Sequence, residues 1–154
     1  MPLPDNVLTI CGIPELPQHA DRGVTHVLSI IDTYEPRPIA LDNYPTLIER
    51  ELIRFDDVVA EYPGFAACTP EHIEQVLAFG ERVQDVPGAH VLVHCHAGIS
   101  RSTAAAAMMR STAARAMTPS SFAAARRSST RSTPATPARR RVIAWWCRPT
   151  TACN

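Results

Sequence analysis

His-Cys-His-Ala-Gly-Ile-Ser-Arg-Ser occupies residues 94–102 of this 154-residue chain. An apolar run, Ala89-His90-Val91-Leu92-Val93, precedes the segment, and a helix-forming stretch, Ser102 to Met109, follows it. A strand that passes through a tight loop into a helix directs the loop N–H groups and the positive end of the helix dipole at one point. The pattern therefore predicts an anion-binding loop between a strand and a helix.

Two side chains in this segment have the chemistry that a phosphate site needs. The field that binds an anion also favours a thiolate, so it is expected to lower the pKa of Cys95. The guanidinium of Arg101 binds two phosphate oxygens as a planar fork. Gly98 lets the backbone curl closely around a bound group because it has no side chain to clash. The segment thus combines a nucleophile with an anion clamp.

Two other interpretations of the same residues stay open at this point. A cysteine after an apolar strand is often an inert, buried hydrophobe. The His-Cys-His triplet is also half of a possible zinc site, but such sites draw on a second ligand pair at short spacing. No Cys-x2–4-Cys or His-x3–5-His pair occurs elsewhere in the chain. The sequence therefore favours the phosphate loop, with no metal ion and no cofactor.

The segment resembles the signature loop of the cysteine-dependent protein tyrosine phosphatases, His-Cys-x5-Arg-Ser/Thr. Its Ala-Gly-x-Ser-Arg-Ser form is most similar to the dual-specificity branch. The resemblance covers Val7 to about Met109, but its specificity rests on residues 94–102. It implies a phosphoric monoester hydrolase that acts on phosphotyrosine, and also on phosphoserine or phosphothreonine, of a protein or peptide. The reaction would pass through a cysteinyl-phosphate intermediate.

The resemblance also implies a role for each residue of the loop. Cys95 is the expected nucleophile, and Ser102 is expected to hydrogen-bond its sulfur and help it leave. His94 is expected to lie behind the loop, where it would hold Cys95 and lower its pKa. Arg101 is expected to bind the phosphate together with the backbone N–H groups of His96, Ala97, Gly98, Ile99 and Ser100.

A phosphatase of this kind also needs a general acid. In the family, an aspartate on the loop after an upstream strand protonates the leaving oxygen and then deprotonates the attacking water. Asp56 and Asp57 follow the predicted strand Arg50–Phe55, and Asp57 is preferred, although both also suit a solvated strand end. Their separation from Cys95 is longer than is usual in the family. The alternatives are Glu61, Glu71 and Glu74, of which the last two are better explained as stabilising a helix start.

The rest of the first 109 residues alternates strands with helices. This order predicts an α/β fold with a mainly parallel central sheet flanked by helices, and a ligand site at the carboxyl ends of the strands. A helix begins at the N-cap Thr69 and stops before Pro87-Gly88, with Ile73, Val76, Leu77 and Val83 on its apolar face. The other predicted elements are the strands Val7–Cys11 and Val24–Ile31, a turn or short helix over Pro14–Ala20, a loop over Asp32–Asn43, and a helix over Ser102–Met117.

Composition restricts the partners and the compartment. The formal net charge is zero and aromatic content is 6%, which suggests neither a nucleic-acid nor a membrane partner. The five cysteines are irregularly spaced, and the residues after Met1 do not resemble a signal peptide. These features predict a cytoplasmic protein with free thiols, whose partner is a phosphorylated protein or peptide.

The charges divide the chain into two parts. Every acidic residue lies between Asp5 and Asp85, whereas residues 110–154 contain nine arginines and no acidic residue, leucine or glycine. The division predicts a phosphatase-like domain over residues 1–109, with its C-terminal helices missing or altered, and a tail over 110–154. That tail is either a disordered basic segment or the product of a frameshift near Arg110. The functional alternatives are therefore a catalytically weak phosphate-binding pseudophosphatase, an inactive frameshifted product and, less favoured, a rhodanese-like sulfur carrier.

Overall fold

A computed structural model describes residues 6–116 of the chain, which include the segment 94–102, the first predicted long helix and all but the last residue of the second. Most of the predicted tail, from residue 117 onward, lies outside the described residues. The elements in chain order are β1 (Val7–Gly12), a 3-10 helix (Ile13–His19), β2 (His26–Ile31), β3 (Glu49–Arg54), α1 (Pro70–Gln84), β4 (His90–Cys95) and α2 (Arg101–Ala116).

The four strands form one sheet in the order β1-β4-β2-β3, and all three pairings are parallel. This arrangement confirms the predicted α/β class. The strand β4 lies inside the sheet, where Gly12 of β1 is paired with Cys95. Because the strands are parallel, their carboxyl ends meet at one edge, and the segments that follow β2, β3 and β4 converge there.

Both faces of the sheet bury apolar side chains, as the continuous apolar runs in β2 and β4 predicted. On one face Val91, Val93 and Cys95 pack in a cluster with side chains of α1 and α2. On the other face Leu92 packs with Leu16 of the 3-10 helix and with side chains from the segment between β2 and β3. Alternate residues of β4 thus serve opposite layers, and Cys95 belongs to the helical layer.

The helix boundaries follow local sequence signals. The helix α1 begins at Pro70, directly after Thr69, and buries the four predicted apolar positions together with Phe79. The prediction for this helix is therefore confirmed. The helix α2 begins at Arg101, one residue earlier than predicted, so the backbone turns helical at the arginine itself. The predicted strands differ from the observed strands by one or two residues at their ends.

Candidate active site

The loop between β4 and α2 surrounds the thiol of Cys95. The side chain is 2% exposed, and its sulfur lies 3.2 Å from the backbone nitrogen of Gly98, which donates a hydrogen bond to it. The hydroxyl of Ser102, in the first turn of α2, lies 3.2 Å from the same sulfur. The loop and the helix start therefore supply hydrogen bonds that stabilise a negative charge on the sulfur.

Two buried thiols at this end of the sheet have opposite pKa shifts. Burial would raise the pKa of Cys95, but hydrogen bonds from Ser102 and Gly98 and the charge of Arg101 outweigh it, so the pKa lies below its usual value. Burial, and then the charge of Glu15, raise the pKa of Cys11 to about 12. The two sulfurs belong to clusters on opposite faces of the sheet. The difference shows that the loop, rather than the depth of burial, favours the thiolate.

The backbone of the loop lies directly on the end of β1. Gly98 has a φ of +73°, and a Cβ built there would lie 2.5 Å from the carbonyl carbon of Cys11. A Cβ on Gly12 would lie 2.9 Å from the carbonyl carbon of Ala97, and the Ile13 N–H donates to the His96 carbonyl at 3.0 Å. Two glycines thus permit the close approach of two backbones, which fixes the curvature of the loop.

Arg101 is held by two residues that directly follow the strands β2 and β3. Its Nη1 donates to Oδ1 of Asp32 at 2.8 Å and to the Phe55 carbonyl at 2.7 Å. The side chain is 4% exposed, yet its Nε has no hydrogen-bond partner among the described residues. A buried guanidinium with an open donor is suited to an anion that enters the loop.

Sequence reasoning missed Asp32, which it placed at the start of a loop. Asp32 follows β2 directly, just as Asp56 follows the predicted end of β3 and the loop follows β4. In a parallel sheet these three positions share one edge. That rule, applied to every strand end, would have placed Asp32 at the same edge as the loop, but it would not have paired Asp32 with Arg101.

Asp56 is a buried carboxylate that accepts three hydrogen bonds. The donors are the Thr33 N–H at 2.9 Å, the Thr33 hydroxyl at 2.5 Å and the Ala66 N–H at 2.7 Å. Burial alone would raise the pKa of Asp56, but these bonds and the charge of Arg101 hold it below its usual value. The Asp56 N–H also donates to the Ala66 carbonyl at 2.7 Å. Asp56 therefore closes the base of the loop formed by residues 57–65.

Asp57, the next residue, has the opposite environment. It is exposed, lines the cleft above Cys95, and its Oδ1 accepts a hydrogen bond from the Ser100 hydroxyl at 3.0 Å. The structure thus brings Asp57 to the loop across 43 residues of sequence. The alternative acids Glu61, Glu71 and Glu74 do not line this cleft.

His94 lies behind the loop and is fully buried. Its Nε2 is 2.7 Å from the hydroxyl of Ser29, which also accepts a hydrogen bond from Nε of Arg50 at 2.9 Å. Burial, and then the nearby charge of Arg50, lower the pKa of His94 to about 4. The ring is therefore neutral at pH 7. Among the described residues, the hydrogen-bond partners of the Cys95 sulfur are the backbone N–H of Gly98 and the hydroxyl of Ser102, not the His94 ring.

The loop forms the floor of an open cleft of about 470 Å³. Besides Cys95 and the acidic side chains, the cleft is lined by the loop residues His96, Ala97, Ile99, Ser100 and Arg101 and by Tyr34, Val58 and Phe65.

Within residues 6–116, no cluster of three or more His, Cys, Asp or Glu side chains is arranged to hold a metal ion. No helix in the same part of the chain is long and apolar enough to cross a membrane.

Solved structures include one that is similar to this chain at low sequence identity. The solved structure named "Crystal structure of Tk-PTP in the active form" is similar at a TM-score of 0.43 and 22% sequence identity, over 71% of this chain and 78% of that one. No protein-family model matches the chain, and no curated protein sequence matches it either. A likeness at this level decides nothing about chemistry, which depends on the residues described above.

Proposed function

We propose that this protein is a cysteine-dependent phosphatase that hydrolyses phosphotyrosine in a protein or peptide through a cysteinyl-phosphate intermediate. One observation carries the proposal. The Cys95 thiol, whose pKa lies below its usual value, shares a tight loop with a buried arginine whose Nε has no hydrogen-bond partner within residues 6–116. A nucleophile and an open cationic donor on the same seven-residue loop suit attack on a phosphate.

The first step forms a bond between the Cys95 sulfur and phosphorus and breaks the ester P–O bond. Arg101 and the N–H groups of the loop would stabilise the charge on the non-bridging oxygens. In the second step a water molecule attacks phosphorus, and the sulfur leaves as a thiolate. The Ser102 hydroxyl, 3.2 Å from the sulfur, is placed to stabilise that leaving thiolate.

We assign the general acid to Asp57 rather than Asp56. The oxygens of Asp56 already accept three hydrogen bonds from Thr33 and Ala66, and these bonds favour its charged form, so Asp56 is committed to holding the segment rather than to proton transfer. Asp57 is exposed at the cleft, where its carboxylate accepts a hydrogen bond from the Ser100 hydroxyl. It would protonate the leaving oxygen in the first step and take a proton from water in the second.

The test is hydrolysis of a small aryl phosphate in the presence of a chelator. We expect Cys95→Ser to lower kcat by roughly 10⁴-fold or more, as loss of a nucleophile does in other enzymes, and Arg101→Ala to abolish measurable turnover. Cys11→Ser is the matched control, because it removes a buried thiol from the neighbouring strand without touching the loop sulfur. Undiminished turnover in Cys95→Ser would overturn the proposal.

A further inference from the structure

Apolar side chains are exposed around the mouth of the cleft. Tyr34 is 63% exposed, Phe65 49% and Ile99 76%, and all three line the cleft together with Val58. We call these four residues the apolar collar. Among the described residues, eight large hydrophobic side chains are exposed. Five of them belong to the collar or to the segment 57–65, namely Tyr34, Val59, Tyr62, Phe65 and Ile99. Exposed apolar surface concentrated at one place marks a binding surface.

The collar is assembled from three segments that surround Cys95. Tyr34 follows β2, Val58 and Phe65 lie in the segment after β3, and Ile99 lies in the loop after β4. The Tyr34 hydroxyl donates to Oδ2 of Asp32 at 3.1 Å, and the Phe65 N–H donates to the Tyr62 carbonyl at 2.9 Å. These contacts hold the Tyr34 side chain and the backbone at Phe65, so binding there orders fewer additional groups than binding to a free loop would.

The size of the cleft exceeds what a phosphate group requires. A volume of about 470 Å³ lies within the range of sites that enclose a whole small molecule. A phosphate held by Arg101 at the floor leaves the upper part of the cleft, lined by the collar, for the group that carries the phosphate and for its neighbours.

The charges around the collar favour a peptide over a lipid surface. Three aspartates, Asp32, Asp56 and Asp57, line the cleft, against the single permanent cation Arg101, and the chain contains no lysine. Anionic membranes are recognised by clusters of exposed basic side chains, which the lining of this cleft does not supply. An uncharged apolar segment of polypeptide meets no such electrostatic penalty.

We propose that the apolar collar binds apolar side chains next to the phosphorylated residue, so that the protein selects phosphotyrosine peptides with apolar flanking residues. This inference rests on the proposed function and adds a substrate preference to it. Apolar flanking side chains would cover Phe65, Val58 and Ile99, whereas polar ones would leave those surfaces in contact with water or lose their own hydration.

The experiment compares kcat/KM for two phosphotyrosine peptides that differ only at the flanking positions, leucine in one and serine in the other. A small aryl phosphate serves as the reference substrate. We expect the leucine peptide to be preferred by about tenfold, as for a modest interface contact. Phe65→Ser should reduce the ratio of the two kcat/KM values to about twofold, and Phe65→Leu should retain most of the preference. Ile48→Ser is the control, because Ile48 is 72% exposed but lies outside the cleft.

Several outcomes separate the two proposals. Equal kcat/KM for both peptides, with normal aryl phosphate turnover, would overturn the collar and leave the phosphatase standing. Faster hydrolysis of phosphatidic acid in phosphatidylcholine vesicles than of either peptide would also overturn the collar, in favour of a lipid surface. If the aryl phosphate is not hydrolysed, the proposed function fails. In that case the collar is tested by the binding affinities of the Cys95→Ser variant for the two peptides. Tighter binding of the leucine peptide would support the collar, and equal affinities would overturn it.

Discussion

The two loops that meet at the cleft are held by different means. The cysteine loop rests backbone against backbone on the end of β1, where Gly98 and the neighbouring strand leave no room for a side chain. The segment 57–65 is closed at its base by one buried carboxylate, Asp56, and is largely exposed in its middle. The first loop owes its shape to close main-chain packing, whereas the second depends largely on the hydrogen bonds that one buried side chain accepts at its base. Their sensitivity to substitution should differ accordingly.

The largest effect is expected where backbone packs on backbone. Gly98→Ala puts a Cβ 2.5 Å from the Cys11 carbonyl carbon, which is far inside van der Waals contact. It does so at a residue with positive φ, where a side chain is already strained. We expect it to lower the free energy of unfolding by about 4 kcal/mol, from strain and overpacking together, and to abolish phosphate binding. Denaturant unfolding and phosphate titration measure both quantities.

Gly88→Ala is the control for that substitution. Gly88 has a φ of +70°, close to that of Gly98, but a Cβ there meets no atom within 4 Å. It should cost only about 1 kcal/mol, the strain of the left-handed backbone itself. Equal losses for the two variants would show that the close approach to β1 does not matter.

The next effect distinguishes the two neighbouring aspartates. Asp56→Asn places an amide N–H₂ or a weaker acceptor against the Thr33 and Ala66 donors, so we expect it to lower the free energy of unfolding by about 2–3 kcal/mol. Asp57→Asn should leave stability within about 0.5 kcal/mol, because the residue is exposed. It should instead slow turnover of an alkyl phosphate by about 10²-fold, measured as kcat at one fixed pH.

The pH dependence of stability checks the same assignment. The folded-state pKa of Asp56 is depressed, so its contribution is present above the unfolded pKa and is lost as pH falls through the folded pKa. Asp56→Asn should therefore flatten the fall in stability below about pH 4. An unchanged acid transition in Asp56→Asn, or normal alkyl phosphate turnover in Asp57→Asn, would contradict the division of roles.

The smallest effect concerns His94, behind the cysteine loop. Its folded-state pKa of about 4 lies below the ordinary value, so the unfolded chain binds the proton more tightly. Its contribution to stability is complete above about pH 6.5 and declines as the pH falls towards 4, by about 2 kcal/mol at pH 5. His94→Gln should remove that part of the pH dependence between pH 7.5 and 5. If the variant and the parent lose equal stability over this range, His94 is not buried as a neutral ring.

Much of the fold could be predicted from the sequence because the signals for its strands and helices are local. The apolar runs before Gly12 and Cys95, the β-branched run before Asp32, and the Thr69-Pro70 start of α1 each act within a few residues of chain. They predicted four strands, two long helices and their parallel arrangement, all of which the structure confirms. The ends of elements were less accurate, because the last residue of a strand depends on its neighbours in the sheet.

The contacts among the site residues could not be predicted from the sequence in the same way. The sequence placed Cys95 and Arg101 on one loop, but the hydrogen bonds of Arg101 to Asp32 and to the Phe55 carbonyl join residues that are far apart in the chain. The anchoring of Asp56 by Thr33 and Ala66 likewise depends on the spacing of β2 and β3. No local pattern carries such information.

The sequence by itself determined the loop that we propose binds phosphate, because strand, glycine, cysteine, arginine and helix start all lie within one short segment whose geometry is set by local backbone rules. Tertiary structure alone decided which of two adjacent aspartates is buried and which faces the cleft, and that Asp32 holds the arginine. The physical reason is that a parallel sheet brings the carboxyl ends of its strands to one edge, so side chains distant in sequence acquire their partners and their pKa shifts only once the strands have paired.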